Sequence, residues 1–377
     1  MAQGILAFFV VSNIYIYLKL RAGFAPGAWN LFYLFAAAVF MFLPFASRMG
    51  IFRSTRVGEV VFVLSFTWLA IVGLACLGFF IMDMVALVAR GMDALLGTPF
   101  EARLFAPRKA VPFTLVVILA VTLYSFYEAW NVRRVDVALE LAMSEGAKPL
   151  RIAFVTDVHL GGLYTLRRLE RVMTIVRDAK PDIFMIGGDL VDGDMNGRDR
   201  EAELLRSGGA KYGAFAVMGN HDFYSGAKQA VSFMEYAGLT VLRDERIEVA
   251  GLVIVGLDDP AKMGRGFTAQ TMSETMSGEV DFSRGSGSAL ILLKHRPHVI
   301  PETEGKFDLQ LSGHTHGGQI WPFSYVASVV NKSVQGLSKH GDSLVYVSNG
   351  TGFWGPPMRF LSPPEVTVID IFPKSSR

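Results

Sequence analysis

The sequence predicts an α/β domain preceded by an α-helical membrane region, and three observations carry that prediction. Apolar residues make up 51% of the 377-residue chain, and they are concentrated before about residue 130. Beyond residue 133 the pattern changes to short apolar runs alternating with segments of helical spacing. Several of those runs end directly in aspartate, asparagine or histidine, as in α/β folds that collect reactive side chains beyond their strand ends. The expected boundaries are 1–132 for the helical region, 133–372 for the α/β domain and 373–377 for a short tail. A domain of roughly 240 residues is long enough to bury a full core.

Four spans are expected in the first region, near 5–20, 29–46, 60–88 and 111–130. The first contains Ser12 and Asn13 and runs into Lys19, and no basic residue precedes it, which argues against a cleaved signal peptide. The second lies between Trp29 and Arg48. The third exceeds the ~20 residues that a bilayer core requires, so it must tilt or project. The fourth carries Tyr124, Tyr127 and Trp130 where an interfacial aromatic belt belongs. Asp83 is expected near the membrane surface at the far end of the third span, and Glu128 at the interface. Four crossings put both ends of the region on one side. Arginine and lysine are spread over both sets of flanks and do not orient it, so a cytoplasmic α/β domain on a multi-pass inner-membrane protein rests on the absence of an evident export signal. If residues 5–20 do not cross, the side reverses.

Charge and cysteine usage narrow the function. Residues 1–130 hold 9 basic and 5 acidic side chains, which leaves 27 and 29 for the remainder. The second region is therefore near neutral and offers no basic field for nucleic acid. Cys76, the single cysteine, sits in an apolar run, lipid-facing or packed, so disulfides and thiolate metal sites organise nothing here.

In the second region Val135, Val137, Leu139 and Leu141 alternate with Asp136, Ala138 and Glu140 and read as a strand, although a helix would also place Val135 and Leu139 on one face. After the turn SEGAKP, residues 151–156 form a buried strand, and 165–179 have helical spacing. A strand at 183–187, a helix at 199–207, a strand at 214–218 and a helix at 226–237 continue the alternation. Further strands are expected at 247–249, 252–256, 288–293, 308–312, 343–347 and 365–371. The glycine-rich stretch 260–287, with a short helix over Thr268–Met276, reads equally as a substrate lid and as a surface excursion.

Five clusters carry the chemistry: Asp157 and His159 in TDVHLG, Asp189 in GGDLVDG, Asn220 in GNHD, His295 in LLKHRP, and His314 with His316 in SGHTHGGQ. One lone histidine after a strand is usually structural. Here five of the seven histidines fall in these clusters with two aspartates, at expected strand ends, and packing does not explain that joint pattern. Carboxylate, imidazole and amide oxygen together suit manganese, iron or zinc. Asp189 is positioned to bridge two ions through both carboxylate oxygens, and two ions with an activated water are the equipment for hydrolysing a phosphoester. His221 is the leading candidate to meet substrate, and Asp222 is the candidate to orient it. His298 and His340 are expected at the surface or behind the ligands.

At this point the sequence resembles the calcineurin-like metallophosphoesterases, in particular their membrane-attached YkuE-like or YaeI-like branch. The matching motifs are Asp157-x-His159, Gly188-Asp189-x-x-Asp192, Gly219-Asn220-His221-Asp222, His295 and Gly313-His314-Thr315-His316. The resemblance covers about 135–372, including NGTGFWGPPMRFLSPPEVTVI, which is similar to that branch's glycine-proline loop and last strand. It implies a four-layer α/β/β/α sandwich. It also implies one metal held by Asp157, His159, Asp189 and His316, and another by Asp189, Asn220, His295 and His314. Family members generally use a bridging hydroxide for in-line attack, with the histidine matching His221 assisting phosphate binding or leaving-group protonation.

The function expected is therefore a dimetal phosphodiesterase or pyrophosphatase at a membrane surface, with two divalent ions, manganese foremost and iron or zinc as alternatives. Its partners would be the phospholipid bilayer and a phosphorylated small molecule or lipid-linked substrate, and nothing in the sequence names an obligate protein partner. One alternative is the UDP-2,3-diacylglucosamine pyrophosphatase of lipid A synthesis; another is a non-catalytic metal-binding membrane regulator. Phe223, Phe267, Phe282, Trp321, Phe323, Phe353 and Trp354 are candidates for an apolar surface beside the site.

Overall fold

The computed structural model describes residues 2–46, 56–144, 146–161, 166–264, 280–284, 288–330 and 335–374. The chain divides into two compact units: Met1–Tyr127 with Gly355–Met358, and Glu128–Trp354 with Arg359–Arg377.

The first unit is helical: α1 (Ala2–Gly23), α2 (Ala28–Ala46), α3 (Arg56–Leu96), α4 (Phe100–Leu104) and α5 (Pro107–Trp130). Among the described residues two helices, Val57–Leu96 and Pro107–Trp130, are long and apolar enough to cross a membrane by length and composition. At 1.5 Å per residue α3 extends about 60 Å, roughly twice the hydrocarbon thickness. A small apolar core of Ile16, Val72, Ala75, Phe79, Val111 and Ile118 joins α1, α3 and α5. Close approach requires Gly23, where an added Cβ would lie 2.5 Å from Val111 Cβ. Outward-facing Phe80, Val85 and Val88 on α3, and Phe113, Val116 and Leu123 on α5, are exposed, as lipid-facing side chains would be. Asp83 is partnered within this unit, by the Tyr15 hydroxyl at 2.6 Å and by Lys19. Cys76 is half-buried against the same core.

The second unit contains two six-stranded sheets. One is built from β1 (Arg133–Leu141), β2 (Leu150–Val155), β3 (Ile183–Ile186), β4 (Ala214–Ala216), β5 (Thr240–Val241) and β12 (Glu365–Pro373), in the order β1-β12-β2-β3-β4-β5. The other is built from β6 (Glu245–Val249), β7 (Leu252–Leu257), β8 (Ala289–Lys294), β9 (Leu309–Ser312), β10 (Gly336–His340) and β11 (Ser343–Val347), in the order β10-β11-β9-β8-β7-β6. Parallel pairs β2–β3–β4 and β7–β8–β9 form the centre of each sheet.

Side-chain alternation explains the layers. Ile152 and Phe154 of β2 meet Ile254 of β7 and Ile291 of β8 in the core between the sheets. Ala153 and Val155 point the other way, onto α6 (Leu166–Ala179), α7 (Asp199–Arg206) and α8 (Asn220–Tyr236). On the far side Val253, Val255, Leu290 and Leu292 pack with Ile300 and Phe307. The result is the expected sandwich, whose last layer among the described residues is thin, with the 3-10 turn Pro301–Thr303 between those two side chains. Because central strands are buried on both faces, they read as unbroken apolar runs.

Several details differ from expectation. β5 has only two residues and β10, GLSKH, is a half-exposed edge strand, so neither has an apolar period to betray it. α8 begins at Asn220 rather than 226, because Asp222 caps it by accepting from Gly219 N; Gly226, at φ 110°, kinks it where the break was read. Glu128, expected at the interface, is buried among protein atoms: Arg133 pairs with it at 3.3 Å and Ser362 N donates to it. Most of the glycine-rich stretch 260–287, including Thr268–Met276, lies outside the described residues.

Candidate metal centre

Each candidate ligand follows the C-terminal end of a strand: Asp157 and His159 after β2, Asp189 after β3, Asn220 after β4, His295 after β8, and His314 with His316 after β9. Parallel strands in both sheets aim these ends at one edge, so residues spread over 160 positions meet there. His159 Nε2 lies 3.2 Å from His316 Nε2, which is 3.3 Å from Asp157 Oδ1. His295 Nε2 lies 3.2 Å from His314 Nδ1 and 3.0 Å from Asp189 Oδ2. Asp157, His159 and His316 thus form one group whose ligand atoms lie within 4.8 Å of one another, and Asp189, His295 and His314 form another.

Asp189 stands between the groups, with Oδ2 3.9 Å from His159 Nε2 and 3.0 Å from His295 Nε2. Its other oxygen, Oδ1, accepts from His221 N at 2.7 Å, and the second lone pair of that oxygen stays available to a cation. Buried carboxylates normally hold their protons. Burial does raise the Asp189 carboxyl, but the imidazoles of His295, His221 and His159 outweigh it and hold it well below the usual range. Burial opposes a charge on His295 too, yet the Asp189 carboxylate pushes it up to about 10.

The residues fit a pair of divalent ions. Asn220 Oδ1 is buried without a hydrogen-bond partner among the described residues, an arrangement that a cation would satisfy. His295 Nδ1 donates to Gly187 O at 2.9 Å, which fixes the tautomer and leaves Nε2 as a ligand atom. Asp157, His159, Asp189, His314 and His316 all have φ between 51° and 72°, a left-handed conformation that non-glycine residues adopt at a cost of about 1–3 kcal/mol each. Strain concentrated on five of seven candidate ligands marks a functional constraint rather than a packing solution.

Asp222 does not orient His221. It is fully buried and its two oxygens accept from Val191 N at 2.7 Å and Gly219 N at 2.8 Å. His221 Nδ1 instead meets Asp192 Oδ1 at 3.0 Å, and Asp192 Oδ2 lies 3.3 Å from His159 Nδ1. Burial disfavours the imidazolium of His221, but Asp192 and Asp189 raise it to about 9. Asp192 was visible in GDLVD without a role, three residues after the candidate bridge. The other residue with no sequence signal is Arg359, which is buried and donates to the carbonyl oxygens of His316, Asn349, Gly352 and Ser362. It fastens the GHTH turn to the loop before β12. Of the aromatic candidates, Trp354 faces His221 at 5.6 Å between ring centroids, and Phe353 is buried with Arg168 over its ring. Tyr224, which was not singled out, faces His221 at the same distance. Phe267 lies outside the described residues.

The family model of the calcineurin-like phosphoesterases matches residues 150–318. An uncharacterized metallophosphoesterase of Aquifex aeolicus is 35% identical over 251 residues, covering 66% of this chain and 95% of that protein. One from Campylobacter jejuni is 29% identical over 379 residues, covering 97% and 96%. A transmembrane protein with metallophosphoesterase domain, from Danio rerio, is 27% identical over 329 residues, covering 80% of this chain and 73% of that protein. With similarity extending over nearly the full length of the two bacterial relatives, and the motif residues gathered at one sheet edge, the chain belongs to the calcineurin-like phosphoesterase family.

Proposed function

We propose that this protein is a dimetal phosphoester hydrolase that cleaves a phosphodiester or pyrophosphate at a membrane surface. The observation that carries the reading is Asp189 Oδ2, a single carboxylate oxygen facing two buried donor groups. Asp157, His159 and His316 would hold one ion, and Asn220, His295 and His314 the other, with Asp189 shared. When bound, the two ions supply Lewis acidity toward the phosphoryl oxygens and an activated water. Manganese, iron and zinc all suit a set of carboxylate, imidazole and amide oxygen.

His221 supplies the proton. Its Nδ1 is tied to Asp192, so the imidazolium presents Nε2–H to the departing oxygen. Asp222 acts one step back, holding the turn that carries Asn220 and His221. No side chain is needed as a covalent nucleophile. The helical unit supports a multi-pass anchor, with the bilayer as standing partner and the α/β unit on the cytoplasmic face of an inner membrane. Anchoring raises the effective concentration of lipid-linked phosphate beside the site.

The test is metal quantitation and turnover of full-length protein with manganese, on an aryl phosphodiester and on a lipid-linked pyrophosphate. Asp189→Ala should lose both ions and reduce turnover by about 10³-fold or more. Full activity in that variant would overturn the reading, whereas two bound ions without turnover of either substrate in the unaltered protein would favour a metal-binding regulator.

A further inference from the structure

The backbone of NGTGFW is fastened to the metal centre in a way that delivers one side chain. Thr351 N donates to Thr156 O at 2.8 Å and Gly352 N to Asp157 O at 2.9 Å, which pins the loop along the first ligand cluster. The approach is so close that a Cβ on Gly352 would lie 2.4 Å from the carbonyl oxygens of Asp157 and Val158. Gln319, the last residue of SGHTHGGQ, then grips Trp354 with both ends of its amide: Nε2 donates to Trp354 O at 2.9 Å, and Oε1 accepts from Trp354 N at 3.0 Å. Held there, the indole stands against His221 with centroids 5.6 Å apart and planes at 63°. Tyr224, three residues along α8, flanks the same imidazole at 5.6 Å and 66°. Tyr224 is 46% exposed and Trp354 half-buried, unlike neighbouring Phe353, which is buried.

We propose that Trp354 and Tyr224 form a ring-stacking subsite for the leaving group, so that the preferred phosphoester carries a planar aromatic ring on the departing alcohol. The inference rests on reading His221 as the proton donor to that alcohol's oxygen. Whatever is bonded to an oxygen within reach of His221 comes within reach of the two rings beside it. Aromatic faces reward a flat ring over a saturated one of similar bulk, because stacking adds to apolar burial. A backbone already fixed at both polar atoms of Trp354 spares part of the ordering cost of such a contact.

Equilibrium binding of two phosphinates with no ester bond to hydrolyse, to full-length, metal-loaded protein, tests this: benzyl(methyl)phosphinate and (cyclohexylmethyl)(methyl)phosphinate, alike in charge and similar in bulk. The benzyl compound should bind about tenfold tighter, the equivalent of one stacked ring. Trp354→Leu should bring the ratio close to one, and Trp354→Phe should retain part of it, with metal content reporting that each variant keeps its centre. Equal affinities in the unaltered protein, no measurable binding of either compound, or an undiminished ratio in Trp354→Leu would overturn the subsite. Turnover is not read, so a protein that prefers the benzyl compound yet hydrolyses nothing would defeat the hydrolase reading and leave the subsite standing.

Discussion

Asp192 serves two imidazoles with one carboxylate, Oδ1 at 3.0 Å from His221 and Oδ2 at 3.3 Å from His159, while Asp222 serves only backbone. The two acids are thirty residues apart and should fail differently. Asp192→Asn removes the charge that favours the His221 imidazolium and should lower turnover about 10²–10³-fold, within the range for loss of general-acid assistance, with metal content near that of the unaltered protein. Asp222→Asn offers one acceptor to two N–H groups and turns a donor toward the other. It should cost about 1–3 kcal/mol of stability and loosen Asn220 with it. Metal quantitation, turnover and thermal unfolding on both variants separate these outcomes; a stability loss in Asp192→Asn with turnover intact would return the orienting role to another residue. The seven candidate ligands were legible because each closes an apolar strand and is chemically conspicuous. Asp192, Tyr224 and Arg359 were not assigned roles, because a role is a partner, and their partners lie elsewhere in the chain, as His159 and His221 do for Asp192.

At the scale of elements, the centre depends on turns tight enough to bring carboxylates against backbone. Gly313 opens the GHTH turn, and a Cβ there would lie 2.1 Å from Asp157 Oδ2 and 2.3 Å from Thr156 Oγ1. Thr156 Oγ1 and His314 N both donate to the Asp157 carboxylate. Gly313→Ala should therefore displace Asp157 and drop bound metal from two ions to one, which elemental analysis would read directly; two ions in a normally active variant would mean that the turn yields more easily than the contacts imply. Burial decides which elements the sequence reveals and which it hides. Central strands such as β7 and β8 are buried on both faces and announce themselves as apolar runs. β5 pairs only Thr240 and Val241 with Phe215 and Ala216, and no period exists in two residues. The helix start at Asn220 is hidden because its cap, Asp222, reads in the sequence as the residue that orients His221. Stacking order, with β12 inserted between β1 and β2, is set by pairings more than 200 positions apart and has no local sign.

For the whole molecule, the open mechanical question is which side of the bilayer the centre faces, and the helices constrain it by parity. α3 and α5 have the length and apolarity to cross, whereas α1 includes Ser12, Asn13 and Lys19, with Asn13 Nδ2 bonded back to Phe9 O. A carboxylate such as Asp83 is tolerated in a spanning helix when it is paired, and its partners Tyr15 and Lys19 both come from α1. At hydrocarbon depth an unpaired Asp83 would be costly, so the pairing with Tyr15 and Lys19 favours α1 crossing beside α3. If α2 crosses as well, as its sequence predicts, four crossings would follow. With Cys76 replaced by alanine, single cysteines introduced as Gln3→Cys and Lys339→Cys should react with a membrane-impermeant maleimide from the same side of sealed vesicles. Ala25→Cys and Thr98→Cys should react only from the other. Labelling of Gln3→Cys together with Ala25→Cys, on one side, would mean that α1 lies along the surface. In that event the Asp83 cluster would be an interfacial ion pair, and a centre on the cytoplasmic side would require the residues before α2 to be exported.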